Sequence, residues 1–130
     1  MTPEERLTFV AGPRTAVFST LTPAGRIHAV PVWYRWDGER FRVITGRDSA
    51  KVRNLRANPR ASLCIDEREG GGMRYVTAEG AVSIDELVTV DERLALWTHY
   101  RGAEAAARVT ASDAHEGMVL LLLRPQRWLG

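Results

Sequence analysis

The chain has 130 residues and a mass of 14.5 kDa, which is the size of one ordinary domain with enough residues to form its own core. Hydrophobic residues make up 45% and charged residues 26%, close to average usage, so the composition indicates neither a disordered nor a fibrous protein but a soluble globular one. The net charge is only +2 and the arginines are spread along the chain, so no nucleic-acid partner is expected.

The first predicted element is a helix in MTPEERLTFVAG. Thr2 is placed to act as the N-cap, Pro3 takes the first helical position, and Glu5 completes a capping box. The Gly-Pro pair at 12–13 ends the helix. The sequence does not start with the charged segment and apolar run of a secretory signal peptide, so we expect a cytoplasmic protein.

Three strands are predicted next. Residues 15–21 and 27–36 flank a Pro/Gly turn, and the Asp-Gly pair at 37–38 predicts a tight hairpin into residues 40–45. Three consecutive antiparallel strands are expected to form a meander. Pro31 cannot donate to a ladder, so the second strand should have an unpaired edge or a bulge near that residue.

The chain contains seventeen arginines but a single lysine, Lys51. That lysine lies in ITGRDSAKVRNLRANPRASLCI, residues 44–65, which reads as a strand, a turn through GRDS, a short helix and a second strand. The Asn-Pro pair at 58–59 stops the helix. Such a helix begins with backbone N–H groups that have no helical partner and with the positive end of its dipole, which together favour a phosphate group.

Several polar residues surround the start of this helix. Asp48 or Ser49 is placed to cap it, Arg47 and Lys51 add two cations, and Asn54 shares the face of Lys51. The residues therefore predict a phosphate site, with a solvated basic helix as the alternative.

The rest of the chain predicts three strands and one helix. Cys64, the only cysteine, excludes an intramolecular disulfide and is expected in the core. The longest apolar run, VLLLL, is too short to span a bilayer, so no membrane partner is expected. Residues 102–116 are ambiguous. The predicted strands are 60–66, 74–84 and 117–124, the glycine-rich loop is 67–73, and the amphipathic helix is 87–101.

Six strands in hairpin order with short flanking helices predict one mainly β domain over residues 1–130, a six-stranded antiparallel barrel. The aromatic side chains of Trp33, Tyr34 and Trp36 are hard to cover within one such barrel, which favours a homodimer. His28, His99 and His115 lack the spacing of metal ligands, so no metal site is predicted.

The segment at 44–65 resembles the pyridoxamine 5'-phosphate oxidase-like split β-barrel superfamily. The flanking PVWYRWDGERF pattern is similar to the flavin and deazaflavin oxidoreductase branch, many members of which use coenzyme F420. The likeness spans roughly residues 5–127. The residues that carry it are Ser49 and Lys51 in an SxK pattern, followed by Asn58, Pro59, Ala61, Ser62 and Leu63 in an NPxASL pattern.

This resemblance implies a homodimer with two cofactor sites at the subunit interface. It implies that Pro31, Val32 and Trp33 line the ring of F420 or, alternatively, FMN. The residues that would hold the cofactor phosphate are Arg47, Ser49, Lys51 and Asn54.

The implied activity is hydride transfer from reduced F420 to a small conjugated acceptor. No catalytic residue is assigned, because in flavin chemistry the cofactor transfers the hydride and the protein orients it. An FMN-dependent pyridoxamine-phosphate-oxidase-like enzyme and a non-catalytic carrier of F420, flavin or haem are the alternatives. Pyridoxamine phosphate oxidases proper are longer than this chain, so pyridoxamine phosphate oxidase itself is not expected.

Loops 67–73 and 102–116 are expected to select the substrate, and Trp128 either closes the site or packs.

Overall fold

The N-terminal helix begins with the predicted capping box. The Thr2 hydroxyl accepts a hydrogen bond from the backbone N–H of Glu5, and the Glu5 carboxylate accepts one from the backbone N–H of Thr2, both at 3.1 Å. Two of the N–H groups that a helix start leaves without helical partners are therefore satisfied locally. This helix ends at Val10, one residue before its C-cap, Ala11.

The computed structural model describes residues 1–110 and 116–130. In these two ranges the chain forms α-helices joined to strands of one antiparallel sheet, with a 3-10 turn at Glu69–Gly71. Their bounds are α1 Pro3–Val10, β1 Ala16–Leu21, β2 Ile27–Val32, β3 Arg35–Trp36, β4 Phe41–Gly46, α2 Ala50–Ala57, β5 Arg60–Glu67, β6 Arg74–Asp85, α3 Val90–Arg101, α4 Ala103–Thr110 and β7 Met118–Leu129. None of the helices in the described part of the chain is long and apolar enough to cross a bilayer.

The sheet curls into a split barrel. Its strand order is β2-β1-β5-β6-β7-β4-β3, so β2 and β3 are its two edges, yet only Trp33 and Tyr34 separate them along the chain. Neighbouring strands lie about 4.8 Å apart, and two residues span at most about 7 Å, far less than the width of seven flat strands. The sheet must therefore bend until its edges meet at residues 33–34.

The expected meander is wrong. Both predicted hairpins form, β1 with β2 and β3 with β4, but β2 and β4 lie near opposite ends of the sheet. The predicted strand 27–36 divides because the backbone N–H of Tyr34 bonds to the side chain of Tyr100 instead of a strand. The described residues consequently form seven strands rather than six. Pro31 lies on the edge strand β2, as predicted.

The core lies inside the curled sheet and is capped by α1 and α2. Tyr34 is completely buried there, and Trp36 packs against the core. Trp33 stacks on α3, so the single chain covers all three aromatic residues that were expected to need a partner. Cys64 is also placed differently from the expectation. It is half-buried, on the face of β5 opposite to the buried Leu63.

The last strand is longer than predicted. It continues through Pro125 to Leu129 because the pairing of β6 with β7 shifts register between Glu79 and Gly80. A side chain at Gly80 would collide with the backbone carbonyl of Arg124, so only glycine fits this close approach. The run 119–123 is buried, as predicted for this strand.

Candidate functional site

Helix α2 is oriented by the side chains that it buries. Val52 and Leu55 pack into the core, and the Asn54 amide donates a hydrogen bond to the Thr20 hydroxyl at 3.0 Å. Ser49 occupies the N-cap position with extended backbone, but its side chain makes no capping bond. The Ser49 hydroxyl is nevertheless shielded from solvent, and within residues 1–110 and 116–130 it has no hydrogen-bond partner.

Lys51 lies in the first turn of α2 and is half-buried. Among the described residues, no carboxylate forms an ion pair with its ammonium group, and desolvation by burial lowers its pKa. Desolvating a cation without an acidic partner is unfavourable, so a position of this kind favours an anionic ligand.

A cleft of about 390 Å³ opens beside Lys51. This volume falls within the usual range of small-molecule sites, roughly 300–1,000 Å³. Its walls are mostly apolar and come from the ends of β2 and β4, the start of β7 and the α3–α4 pair. The residues that line it are Pro31, Val32, Trp33, Ile44, Thr45, Lys51, Arg93, Leu96, Trp97, Val109 and Met118.

One wall of the cleft is aromatic. The indole of Trp33 stacks on the ring of Tyr100 with centroids 4.5 Å apart and planes within 6°. The edge of Trp97 meets the same indole at 5.1 Å and 78°. The guanidinium of Arg101 lies 5.5 Å from the centre of the Trp33 ring. Helix α3 therefore holds the Trp33 indole by three contacts.

The N-terminal end of α3 is attached by a partly buried ion cluster. Arg35 and Arg42 face each other across the β3–β4 pair, and both donate to the carboxylate of Glu92, at 3.1 Å and at 2.9 and 2.6 Å respectively. Arg42 also donates to Asp37 at 2.9 Å. Burial by itself would raise the pKa of Glu92, but the bonds from Arg42 and Arg35 outweigh it and hold the pKa below its ordinary value.

The structure brings together four of the seven residues predicted to bind a cofactor. Lys51, Pro31, Val32 and Trp33 line the same cleft although they come from separate parts of the chain. Their role in binding stays a prediction.

The other three predicted residues lie near α2 but do not line this cleft. Arg47 is exposed and pairs at 3.5 Å with Glu86, which also binds Arg56 at 2.8 Å. Asn54 is directed at Thr20, and Ser49 is at the N-cap. Whether they contact a ligand stays a prediction as well.

Trp128 packs rather than reaching the cleft. Its ring meets the rings of Trp36 and Phe41 edge to face, each at 5.9 Å, and the guanidinium of Arg6 lies 5.3 Å from its centre. Region 102–116, which was predicted to select the substrate, lies partly in α4, and its residues 111–115 fall outside the described part of the chain. Its role in substrate selection stays a prediction.

The sequence did not assign the cleft wall formed by α3. Arg93, Leu96 and Trp97 line the cleft, and the buried Arg93 donates to the backbone carbonyl of Val109 on α4 at 3.2 Å. The helix predicted over residues 87–101 forms as α3, but Val90 and Leu94, two of the three apolar residues whose spacing predicted it, are exposed. A pattern of this kind cannot show what the helix packs against.

Comparison with known proteins agrees with the split-barrel fold. Residues 2–130 match the family model described as pyridoxamine 5'-phosphate oxidase. The chain superposes on the conserved hypothetical protein Rv2991 from Mycobacterium tuberculosis with a TM-score of 0.84 and 25% identity, covering 98% of this chain and 82% of that one.

Two further solved structures share the fold at lower identity. An F420 reductase has a TM-score of 0.82 and 23% identity, with 98% of each chain covered. The haem storage protein HutZ from Vibrio cholerae has a TM-score of 0.72 and 19% identity, with 98% of this chain and 92% of that chain covered. The match over residues 2–130 places this chain in the pyridoxamine 5'-phosphate oxidase family.

Proposed function

We propose that the protein is an F420-dependent oxidoreductase that binds the reduced deazaflavin in the cleft beside Lys51 and reduces a small conjugated acceptor. The observation that carries this proposal is the position of Lys51, a half-buried lysine with no acidic partner among the described residues, at a mostly apolar cleft. The shared fold with an F420 reductase over 98% of both chains supports the choice of cofactor.

The residues around Lys51 fit a phosphate. The ammonium group would neutralise part of the phosphate charge. The Ser49 hydroxyl at the N-cap of the same helix makes no hydrogen bond within the described residues and would donate to a phosphate oxygen. Arg47 would contribute from the surface, where its pairing with Glu86 at 3.5 Å is exposed and therefore weak.

The opposite part of the cleft fits a planar ring. Pro31, Val32 and Ile44 offer apolar surface, and Trp33 and Trp97 add aromatic surface. When bound, the cofactor supplies the hydride chemistry. The chain's own residues exclude water from the ring and fix its orientation.

We also propose that the protein is a homodimer. The outer face of the β1–β2 hairpin exposes Val17, Leu21 and Ile27, with 44%, 43% and 77% of their surface accessible. Val17 is paired in register with Pro31, which lines the cleft, so this apolar patch continues to the mouth of the site. A second copy seated on the patch would bury it and reach the cofactor.

A non-catalytic carrier is the second candidate function. Among the described residues that line the cleft, none is a histidine, carboxylate, cysteine or tyrosine that would exchange a proton with a substrate. Cofactor binding without turnover is compatible with this lining, and the fold is shared with a haem storage protein. An FMN-dependent oxidoreductase is the alternative within the enzymes, because FMN also combines a planar ring with a phosphate.

Absorption spectroscopy followed by titration tests the proposal. We expect the purified protein to be colourless, to bind F420, and to oxidise reduced F420 when a quinone such as menadione is added as a model acceptor. A yellow protein with an FMN spectrum would favour the FMN enzyme, and a Soret band would favour a haem carrier. F420 binding without turnover of any acceptor would favour an F420 carrier.

A further inference from the structure

Residues 33–34, called the seam below, join β2 to β3 and belong to neither strand. The side chain of Tyr100 on α3 makes the hydrogen bonds that a neighbouring strand would make there. The backbone N–H of Tyr34 donates to the Tyr100 hydroxyl at 3.0 Å. The single hydroxyl proton of Tyr100 has two acceptors, the carbonyl of Arg14 at 2.7 Å and the carbonyl of Tyr34 at 3.0 Å. Since buried backbone groups left without partners are costly, this hydroxyl replaces a missing strand at the seam.

The same tyrosine connects the seam to the cleft. Its ring lies flat on the Trp33 indole at 4.5 Å, whereas Tyr100 is not among the residues that line the cleft. The backbone of Trp33 belongs to the two-residue gap between the strands, so no ladder fixes it. The ring and the hydroxyl of Tyr100 thus fix the side chain of Trp33 and the backbone that follows it.

We propose that Tyr100 is a positioning residue, whose hydroxyl holds the 33–34 seam so that Trp33 presents a fixed aromatic wall to the ligand. The ligand part of this inference rests on the proposed cofactor site. Burial raises the pKa of Tyr100 to about 12, so the hydroxyl keeps its proton throughout the neutral range and the wall does not change with pH there.

The chain contains a matched control for this role. The hydroxyl of Tyr34 also bonds to backbone carbonyls, those of Val10 at 2.9 Å and Gly12 at 3.2 Å. Its ring packs edge to face against Phe41 in the core, 5.5 Å away. Tyr34→Phe and Tyr100→Phe therefore each remove one hydroxyl that bonds to backbone carbonyls, but only the second removes a bond that holds residues 33–34 to α3.

The experiment compares FMN and F420 binding by the wild type, Tyr100→Phe and Tyr34→Phe, together with their melting temperatures. We expect Tyr100→Phe to raise the dissociation constant about five- to tenfold, because binding must then order the Trp33 side chain and the backbone at residues 33–34. Tyr34→Phe should lower the melting temperature without changing the dissociation constant. Equal weakening of binding by both variants, or no weakening by Tyr100→Phe, would overturn the proposal.

A second measurement needs no ligand and so separates this inference from the cofactor proposal. The variant Trp33→Phe identifies the near-ultraviolet circular dichroism band of the Trp33 indole and its aromatic neighbours, because that band is the part of the spectrum that the variant loses. That band should shrink in Tyr100→Phe and persist in Tyr34→Phe. If the wild type binds neither FMN nor F420, the cofactor proposal fails, but the spectra still test the role of Tyr100. A band that is unchanged in Tyr100→Phe would reject the positioning role.

Discussion

Asn54 donates its side-chain amide to the hydroxyl of Thr20 at 3.0 Å, and both residues are buried. This bond joins α2 to β1 and, with the burial of Val52 and Leu55, sets the rotation of the helix about its axis. Lys51 consequently lies at the border of the buried face, where its side chain reaches the cleft. This position beside the cleft is the reason that Lys51 is proposed to bind the cofactor phosphate.

Lys51→Ala should weaken cofactor binding while the fold is preserved. Removing one charge-assisted bond to phosphate raises the dissociation constant about ten- to a hundredfold. The melting temperature should hardly change, because alanine favours helix and Lys51 forms no ion pair within the described residues that its removal would break. Titration of F420 and FMN and thermal melts measure both quantities.

Lys51→Arg is the matched control, since it keeps the charge and should retain most of the affinity. Unchanged affinity in Lys51→Ala would reject the phosphate role. A large fall in melting temperature would instead show that Lys51 stabilises the fold.

Cofactor binding should depend on salt. Lys51 is half-buried and Arg47 is exposed, so their attraction for a phosphate is screened over about 8 Å at physiological ionic strength. We expect the dissociation constants of F420 and FMN to rise between low and high salt. Affinities that stay constant for both ligands would show that the phosphate lies elsewhere.

The apolar face of the β1–β2 hairpin should hold a dimer together. We expect the wild type to sediment at micromolar concentration as a species of twice 14.5 kDa, and Ile27→Glu to shift it to the monomer. Leu87→Glu is the control, because Leu87 is 69% exposed and lies outside the hairpin. A monomeric wild type, or a variant Ile27→Glu that remains dimeric, would contradict this interface.

The Glu92 cluster should make stability depend on pH. The pKa of Glu92 is lowered in the folded chain, so its ion pairs stabilise the fold above the ordinary value of 4.5 and lose that contribution as pH falls through the lower, folded value. Glu92→Gln should therefore reduce the free energy of unfolding by about 1.5–3 kcal/mol at neutral pH, the range for bonds to a charged group. The difference from wild type should shrink in acid.

Chemical denaturation between neutral and acidic pH measures this difference. Glu104→Gln is the control, because Glu104 is exposed and its pairing with Arg108 at 3.5 Å is weak. A difference between wild type and Glu92→Gln that stays constant with pH would show that the carboxylate charge is not what stabilises the attachment of α3.

Local signals in the sequence predicted most of the secondary structure. The capping box of Thr2 and Glu5, the Asp-Gly hairpin at 37–38 and the Asn-Pro stop at 58–59 act between neighbouring residues, so they can be identified without knowledge of the fold. The split-barrel fold was predicted through the family likeness of the segment around Lys51.

Long-range relationships were not predictable in the same way. The strand signal continued through Trp33 and Tyr34 because both are aromatic residues typical of strands. The break there depends on Tyr100, 66 residues away, whose hydroxyl replaces the strand partner. The cleft wall from Arg93, Leu96 and Trp97 depends in the same way on how α3 is attached to β3 and β4 through Glu92.

The single lysine permits one direct test of the central claim that a phosphorylated cofactor binds beside Lys51. Amine acylation of the chain modifies only Lys51 and the N-terminal amine, so mass spectrometry can follow the two rates separately. With F420 or FMN at a concentration that saturates the absorbance titration, labelling of Lys51 should slow markedly while labelling of the N-terminal amine continues at its original rate. Labelling of Lys51 at the same rate with and without both cofactors would contradict the account.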